Sequence, residues 1–294
     1  MSAPAPTSPA RSAPGAPLGI IAGGGRIPLV VAERALGAGR RPTIFGIVGE
    51  AEPGIERFAH HWLKWGEIGR LFRTLAAEGI VDLVIVGSVT RPDLSVIRFD
   101  LGGLASLPRI AAIALGGDDT VLSGVVRFFE EKGFRVFGAH EIAPELVVEA
   151  GPQGRHRPDR RSDADMAAGF DAAALLGRLD IGQAVIAVGG RVVAVEGAEG
   201  TDGLLARTAE MREAGRLRWT GRSGVLVKAA KPSQDLRVDL PTIGPRTVAG
   251  VAAAGLAGIA LEAGRVMIAD RPVTLAAADA AGLFLVGVQP GPRA

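Results

Sequence analysis

Cysteine and tyrosine are both absent from this 294-residue chain, and only 4% of its residues are aromatic. The first absence removes disulfides, thiol catalysis and cysteine-ligated metals together, and fits a reducing compartment. The scarcity of aromatic rings excludes the stacking platforms that hold single-stranded nucleic acid. Charge of one sign is lacking too. The 33 Lys and Arg stand against 31 Asp and Glu, and a net charge of +2 is too slight for a phosphate-backbone footprint. Histidine is rare, and His60, His61, His140 and His156 show neither HExxH nor another zinc spacing. His60 and His61, being adjacent, would fall on opposite faces of any strand that held them, which argues against shared metal ligation.

Long apolar runs are missing as well. The nearest to a membrane span, Val248 to Leu261, is short, rich in alanine and glycine, and ends at Glu262; it reads as a buried helix. Residues 1–17, MSAPAPTSPARSAPGAP, have no apolar signal core and read as a disordered tail. A soluble, cytoplasmic protein is expected. What is present is a 48% hydrophobic composition with 42 glycines. A chain of this length buries roughly three quarters of its unfolded surface, as one large domain or two ordinary ones.

The N-terminal half alternates strand and helix patterns. Strands are expected at Leu18–Ala22, Pro42–Val48, Asp82–Val89 and Phe134–Gly138, and helices at Ile27–Leu36, Glu67–Glu78, Ala105–Leu115 and Thr120–Lys132. The continuous apolar run DLVIVGSV is the kind covered on both faces of a parallel sheet. The fold class is therefore α/β, with an N-terminal Rossmann-like parallel-sheet domain at residues 18–150. Gly151 to Asp165, GPQGRHRPDRRSDAD, breaks the rhythm and reads as a linker. The second domain, 166–294, opens with a hairpin, Gln183–Val188 and Arg191–Glu196 joined by Gly189-Gly190. Thr201 or Asp202 then caps a helix, and strands follow at Val225–Val227, Val266–Ala269 and Leu283–Val288, giving a second α/β domain with a mixed sheet. A cleft between the halves is the default place for a ligand.

The richest segment is Lys228 to Thr247, KAAKPSQDLRVDLPTIGPRT. Pro232 and Pro241 bracket Asp235 and Asp239 and forbid one continuous helix. Carboxylates suit a hard cation such as magnesium, and lysine and arginine hold phosphate oxygens; the competing reading is a solvated loop with local ion pairs. The AGGGRIP turn at Ala22 to Pro28 brings backbone N–H groups toward a phosphate at a helix N-terminus. Pro28 replaces the third glycine of a dinucleotide fingerprint, and Glu50 is a weak ribose-binding candidate. Gly87 to Asp93 leaves the carboxyl end of the buried strand, the edge where open α/β sheets bind ligands, with Ser88 and Arg91 able to bond sugar or phosphate. In Gly116-Gly117-Asp118-Asp119-Thr120 one aspartate serves as N-cap and the other is left for ligand or metal. His140, in GAHE, reads as making a structural hydrogen bond. Glu196, Glu199, Thr201 and Asp202 are more polar groups than one helix cap requires. Lys228 and Lys231 read as phosphate ligands, against the ordinary alternative of solvated lysines.

Taken in order and spacing from about Leu18 to Val288, IAGGGRIP, GSVTRPD, GGDDT, GAHE, GRLDIGQ, EGTD and KPSQDLRVDLPTIG resemble the LpxI-type UDP-2,3-diacylglucosamine pyrophosphatases of lipid A biosynthesis. The resemblance implies a two-domain homodimer in the cytoplasm, touching the membrane surface peripherally. It implies Mg2+-dependent hydrolysis to UMP and 2,3-diacylglucosamine 1-phosphate, with water attacking the β-phosphorus. Asp239, directly before LPTIG, becomes the catalytic aspartate, and Asp239 with Asp202 the metal ligands. Substrate contacts fall on Gly25, Val86, Gly87, Ser88, Val89, Arg91, Gly117 and Asp118 in the first half. In the second half they fall on Gln183, Thr201 and Lys228. Ser88 stands where the family's GNVxRP form has Asn, and family members can carry Glu at the position of Asp235. Two other readings are a non-catalytic UDP-sugar-binding or regulatory module and a nicotinamide-dependent oxidoreductase. The loop carboxylates weigh against the first and the imperfect fingerprint against the second.

Overall fold

Four short apolar runs and the more polar segment AHHWL form the first sheet: β1 (Pro17–Ala22), β2 (Arg41–Ile47), β3 (Ala59–Leu63, the polar one), β4 (Asp82–Val86) and β5 (Arg135–Phe137). The computed structural model describes residues 15–90, 97–104, 106, 109, 118–232 and 234–289, and the chain divides between Ala143 and Pro144 into two units. In the first unit all strand pairs are parallel, in the order β3-β2-β1-β4-β5. That is the Rossmann-type order, with its switch point between β1 and β4. Helices α1 (Ile27–Gly37), α2 (Ile68–Ala77), α3 (Asp118–Glu130) and α4 (Ala139–Ile142) accompany it. β3 was not anticipated, because AHHWL has too little apolar content to announce a strand. β4 stops at Val86, short of the expected Val89, because Gly87 turns the chain at φ +106°.

Two polar devices hold this unit. At the amino edge of the sheet Asp82, 1% exposed, receives Arg40 at 2.6 Å and Arg135 at 2.7 Å, and Arg40 also donates to Pro17 O at 2.9 Å. Helix α2 has no cap from its own N-cap residue, Glu67. Asp100 supplies one from elsewhere in the chain, accepting from the N–H groups of Gly69 (3.0 Å), Arg70 (2.8 Å) and Gly103 (2.7 Å). Burial raises its pKa, but those three donors and the Arg73 charge outweigh burial and hold it below the ordinary carboxylate value.

The second unit carries a six-stranded sheet in the order β6-β13-β11-β9-β7-β8. Its strands are β6 (Gly151–Pro152), β7 (Ala184–Val188), β8 (Arg191–Val195), β9 (Val225–Lys228), β11 (Gly258–Glu262) and β13 (Phe284–Val288). β9, β11 and β13 are mutually parallel, whereas β7 runs antiparallel to both β8 and β9. The sheet is therefore mixed, as expected. β10 (Thr242–Ile243) and β12 (Met267–Ile268) form a separate parallel pair. Helix α5 (Arg160–Arg178) lays Met166 and Phe170 over Val225, Val227, Ala260 and Val286. On the other face α6 (Gly200–Glu213), α7 (Pro245–Ala253) and α8 (Arg271–Ala280) pack Leu204, Val248 and Ala278 over Ile186, Leu226 and Ile259. Successive residues of β9 thus serve opposite layers, and Lys228 falls on the side of Leu226.

Two expectations are corrected. The single helix read over Val248 to Leu261 is α7 followed by the central strand β11. Gly255, at φ +67°, stops the helix, and Ile259, Ala260 and Leu261 are fully buried in the sheet. A buried strand and a buried helix share one apolar signature, so composition alone misjudged the boundary. The expected linker is folded into the second unit: Gly151–Pro152 is edge strand, and α5 begins at Arg160 behind an Asp159 cap. The helix expected over 105–115 falls almost wholly outside the described residues. Among the described residues no helix is long and apolar enough to cross a membrane.

Asp82→Ala leaves the Arg40 guanidinium buried without its carboxylate and is expected to cost about 3–5 kcal/mol in urea unfolding. An unchanged midpoint would show that the pair does not support the sheet. Asp100→Ala is expected to cost about 1 kcal/mol at neutral pH. With the folded pKa depressed, that contribution exists above the unfolded pKa and disappears as pH falls through the folded one. Wild type and variant should therefore converge in acid; a gap that persists there would rule the cap out.

Candidate active site

At the carboxyl edge of the second sheet several elements deliver polar side chains to one place. Lys228 ends β9 and is 5% exposed. Its Nζ donates to Thr201 Oγ1 at 2.9 Å and to Thr242 O at 3.1 Å. An ammonium has three N–H donors, so one is left for a ligand. Burial lowers the Lys228 pKa below the ordinary lysine value, and the charges of Glu196, Asp202 and Asp239 offset only part of that. The four groups therefore form one electrostatic cluster drawn from the end of β8, the first turn of α6, the end of β9 and the loop before β10.

Strand direction explains the convergence. Because β7 is antiparallel to β8 and β9, its amino end meets their carboxyl ends; Ala184 pairs with Lys228. Glu196 follows directly, 6% exposed, with Oε2 accepting the Gln183 N–H at 2.8 Å and Oε1 accepting the Thr201 hydroxyl at 2.7 Å. Gln183, Thr201 and Lys228, expected as substrate contacts, thus belong to one network. Asp202 pairs at 3.7 Å with the exposed Arg246. The cap expected from Thr201 or Asp202 is not made. α6 starts at Gly200 with Glu199 as N-cap and no side-chain cap bond, and the Thr201 hydroxyl turns to Glu196 instead.

The two loop aspartates part company. The Asp235 carboxylate accepts Arg237 Nε at 2.9 Å, Arg237 NH2 at 2.8 Å and the Arg237 N–H at 3.1 Å, and Arg237 holds its pKa down. Asp239, reached by a turn in which its N–H donates to Asp235 O at 3.0 Å, joins the Lys228 cluster. Lys231, read as a second phosphate ligand, forms an ion pair with Asp180 at 2.5 Å. Glu262, expected only as the end of a helix, is buried at the carboxyl end of β11 and accepts the Ala230 N–H at 3.0 Å. It holds the backbone that follows Lys228. Neither residue type nor spacing marks it out, since only the β9–β11 register brings it there.

In the first unit the glycine turn is spent on the fold. Gly23 N–H donates to Val86 O at 2.9 Å, and Gly24 N–H to Ser88 O at 2.6 Å, forming an isolated bridge across the switch point. A Cβ on Gly87 would stand 2.7 Å from the Gly23 carbonyl carbon. Two of the amides expected to cradle phosphate are therefore engaged, which counts further against the dinucleotide reading. Gly25, at φ +85°, has open space where a Cβ would be, and Ser88 and Val89 are exposed, so that part of the edge remains accessible. Asp118 is the first residue of α3. Arg91 and Gly117 lie outside the described residues. The structural hydrogen bond expected of His140 is not observed: its Nδ1 is buried with no partner among the described residues, and burial lowers its pKa against an upward pull from Glu141.

Comparison with known proteins agrees with this division. Residues 17–146 match the family model described as the LpxI N-terminal domain, and residues 149–286 the one described as the LpxI C-terminal domain. The chain is also 44% identical over 276 residues to a Caulobacter vibrioides protein named UDP-2,3-diacylglucosamine pyrophosphatase LpxI, covering 94% of this chain and 99% of that relative.

Gly87→Ala combines a left-handed backbone with a clash against Gly23 and is expected to destabilise by about 2–4 kcal/mol. Gly25→Ala meets only the backbone strain, about 1–2 kcal/mol. Equal losses in urea unfolding would refute the closed bridge between β1 and β4.

Proposed function

Because the chain belongs to the LpxI family, we propose that it hydrolyses the pyrophosphate bond of UDP-2,3-diacylglucosamine, releasing UMP and 2,3-diacylglucosamine 1-phosphate for lipid A biosynthesis. The observation that carries this reading is the buried Lys228 amino group at the carboxyl edge of the second sheet, held by Thr201 and Thr242 O with Glu196 behind Thr201, and subject to the charges of Asp202 and Asp239. Such a cluster supplies a fixed cation for a phosphate oxygen, together with carboxylates that a mere anion-binding site has no use for.

The attacking water adds its oxygen to the β-phosphorus, the bond to the bridging oxygen breaks, and UMP departs with the electron pair. Asp239 orients that water or takes up its proton, with Asp202 assisting. Lys228, with its spare N–H, neutralises charge on the pyrophosphate. The donor set also suits magnesium. Carboxylate oxygens are ligands for a hard cation, and magnesium commonly uses only one or two of them beside substrate phosphates and water. The described residues contain no cluster of three acidic or histidine ligands, which such a partly hydrated site does not need. Asp239 and Asp202 are the residues that would hold Mg2+, and the ion would offset the charge of the transferring phosphoryl group. A homodimer working in the cytoplasm at the membrane surface belongs to the same proposal, since the acyl chains of the substrate partition into a bilayer.

Purified protein is expected to release UMP from UDP-2,3-diacylglucosamine only with Mg2+. Asp239→Ala should lower kcat by about a thousandfold while the protein stays folded. Asp235→Asn, whose carboxylate serves Arg237, should remain within a few-fold of wild type. Tight UDP-sugar binding without turnover by the wild type would instead favour a binding module. In 18O-labelled water the label should enter 2,3-diacylglucosamine 1-phosphate; label in UMP would move the attack to the other phosphorus.

A further inference from the structure

We propose that Glu196 is a positioning residue for this reaction, setting the Lys228 ammonium through the Thr201 hydroxyl. The inference rests on the pyrophosphatase reading and assigns it a residue that does not itself touch substrate.

Hydrogen-bond chemistry gives the chain Glu196–Thr201–Lys228 a single direction. A carboxylate only accepts and an ammonium only donates. The one hydrogen of the Thr201 hydroxyl therefore points at Glu196 Oε1, 2.7 Å away, and an oxygen lone pair faces Lys228 Nζ at 2.9 Å. Thr242 O, at 3.1 Å, fixes a second N–H of Lys228, and the remaining N–H is aimed by the first two. Remove the Glu196 charge and the hydroxyl can rotate, so that one of the two anchors of the ammonium is no longer enforced. Both Glu196 oxygens are turned to protein donors, Thr201 and the Gln183 N–H, and the residue is 6% exposed. It is built to orient rather than to bind. Misplacement of a phosphate-binding cation by a fraction of an ångström is costly to rate, because the interaction must be formed before the reaction begins.

A double-mutant cycle separates this role from a structural tie between the end of β8 and the start of β7. In otherwise wild-type protein Glu196→Gln is expected to lower kcat/KM for UDP-2,3-diacylglucosamine about tenfold or more, mostly in kcat. In a Lys228→Met background the same substitution should change it by less than about twofold. Thr201→Val, which leaves Glu196 bonded to the Gln183 N–H, should reproduce the loss and absorb any further effect of Glu196→Gln. It carries the cycle with Lys228→Met if Glu196→Gln does not fold. Equal fold-losses in both backgrounds, or wild-type kinetics for Glu196→Gln, overturn the proposal. Absence of UMP release by the wild type overturns the pyrophosphatase reading instead. The same cycle read as calorimetric affinity for UDP then decides the coupling, with additive losses counting against it.

Discussion

An ammonium taken out of water at the end of a central strand is the constraint on which the second unit's carboxyl edge depends. The solvation that Lys228 gives up is worth several kcal/mol, and such a group persists only where hydrogen bonds and opposite charge replace it. The replacement comes from elements far apart in sequence: Thr201 and Asp202 on α6, Glu196 after β8, Asp239 in the loop and Thr242 in β10. Each is brought in by an apolar face packed behind it. Leu204 and Leu205 seat α6, Ile243 seats β10, and Leu226 places Lys228 on the same side of β9. The core and the polar cluster are thus one construction.

The two units use their strand ends differently. In the first, the Rossmann-type order produces a switch point, but backbone hydrogen bonds between Gly23, Gly24, Val86 and Ser88 draw the strands' exits together. Strand order alone would have promised a dinucleotide cradle there; the amides of Gly23 and Gly24 are already committed to the bridge. In the second, the edge stays populated by long side chains. Function follows the groups at the edge rather than the topology that carries them.

Much of this was legible in the chain. Alternation of apolar runs with helical spacing identified the α/β class, and the Gly189-Gly190 turn identified the hairpin. The family resemblance put Asp239 forward through the LPTIG tract that follows it, and its catalytic role is part of the proposal. The errors share a cause. The helix read across Val248 to Leu261 joined α7 to β11 because small and apolar residues run unbroken through both, although α7 buries one face and β11 is buried throughout. Thr201 was read as a cap because a hydroxyl at a helix start ordinarily is one. Only the antiparallel pairing of β7 shows that Glu196 is near enough to claim it. Asp235 and Asp239 are the same residue type in the same loop, and nothing in their spacing says that Arg237 takes the first.

Local chemistry therefore lay within reach of the sequence by itself: which runs prefer strand or helix, where glycine and proline must turn the chain, and which loops concentrate carboxylates and lysines. Those properties depend on neighbours a few residues away. Which carboxylate meets which cation depended on strand register and direction, set by burial across the whole unit. The partnership of Lys228 with Glu196, and the diversion of Lys231 to Asp180 and of Asp235 to Arg237, were decided only there. A contact across tens of residues has no local signature, because the free energy that makes it belongs to the packed core and not to the residues that touch.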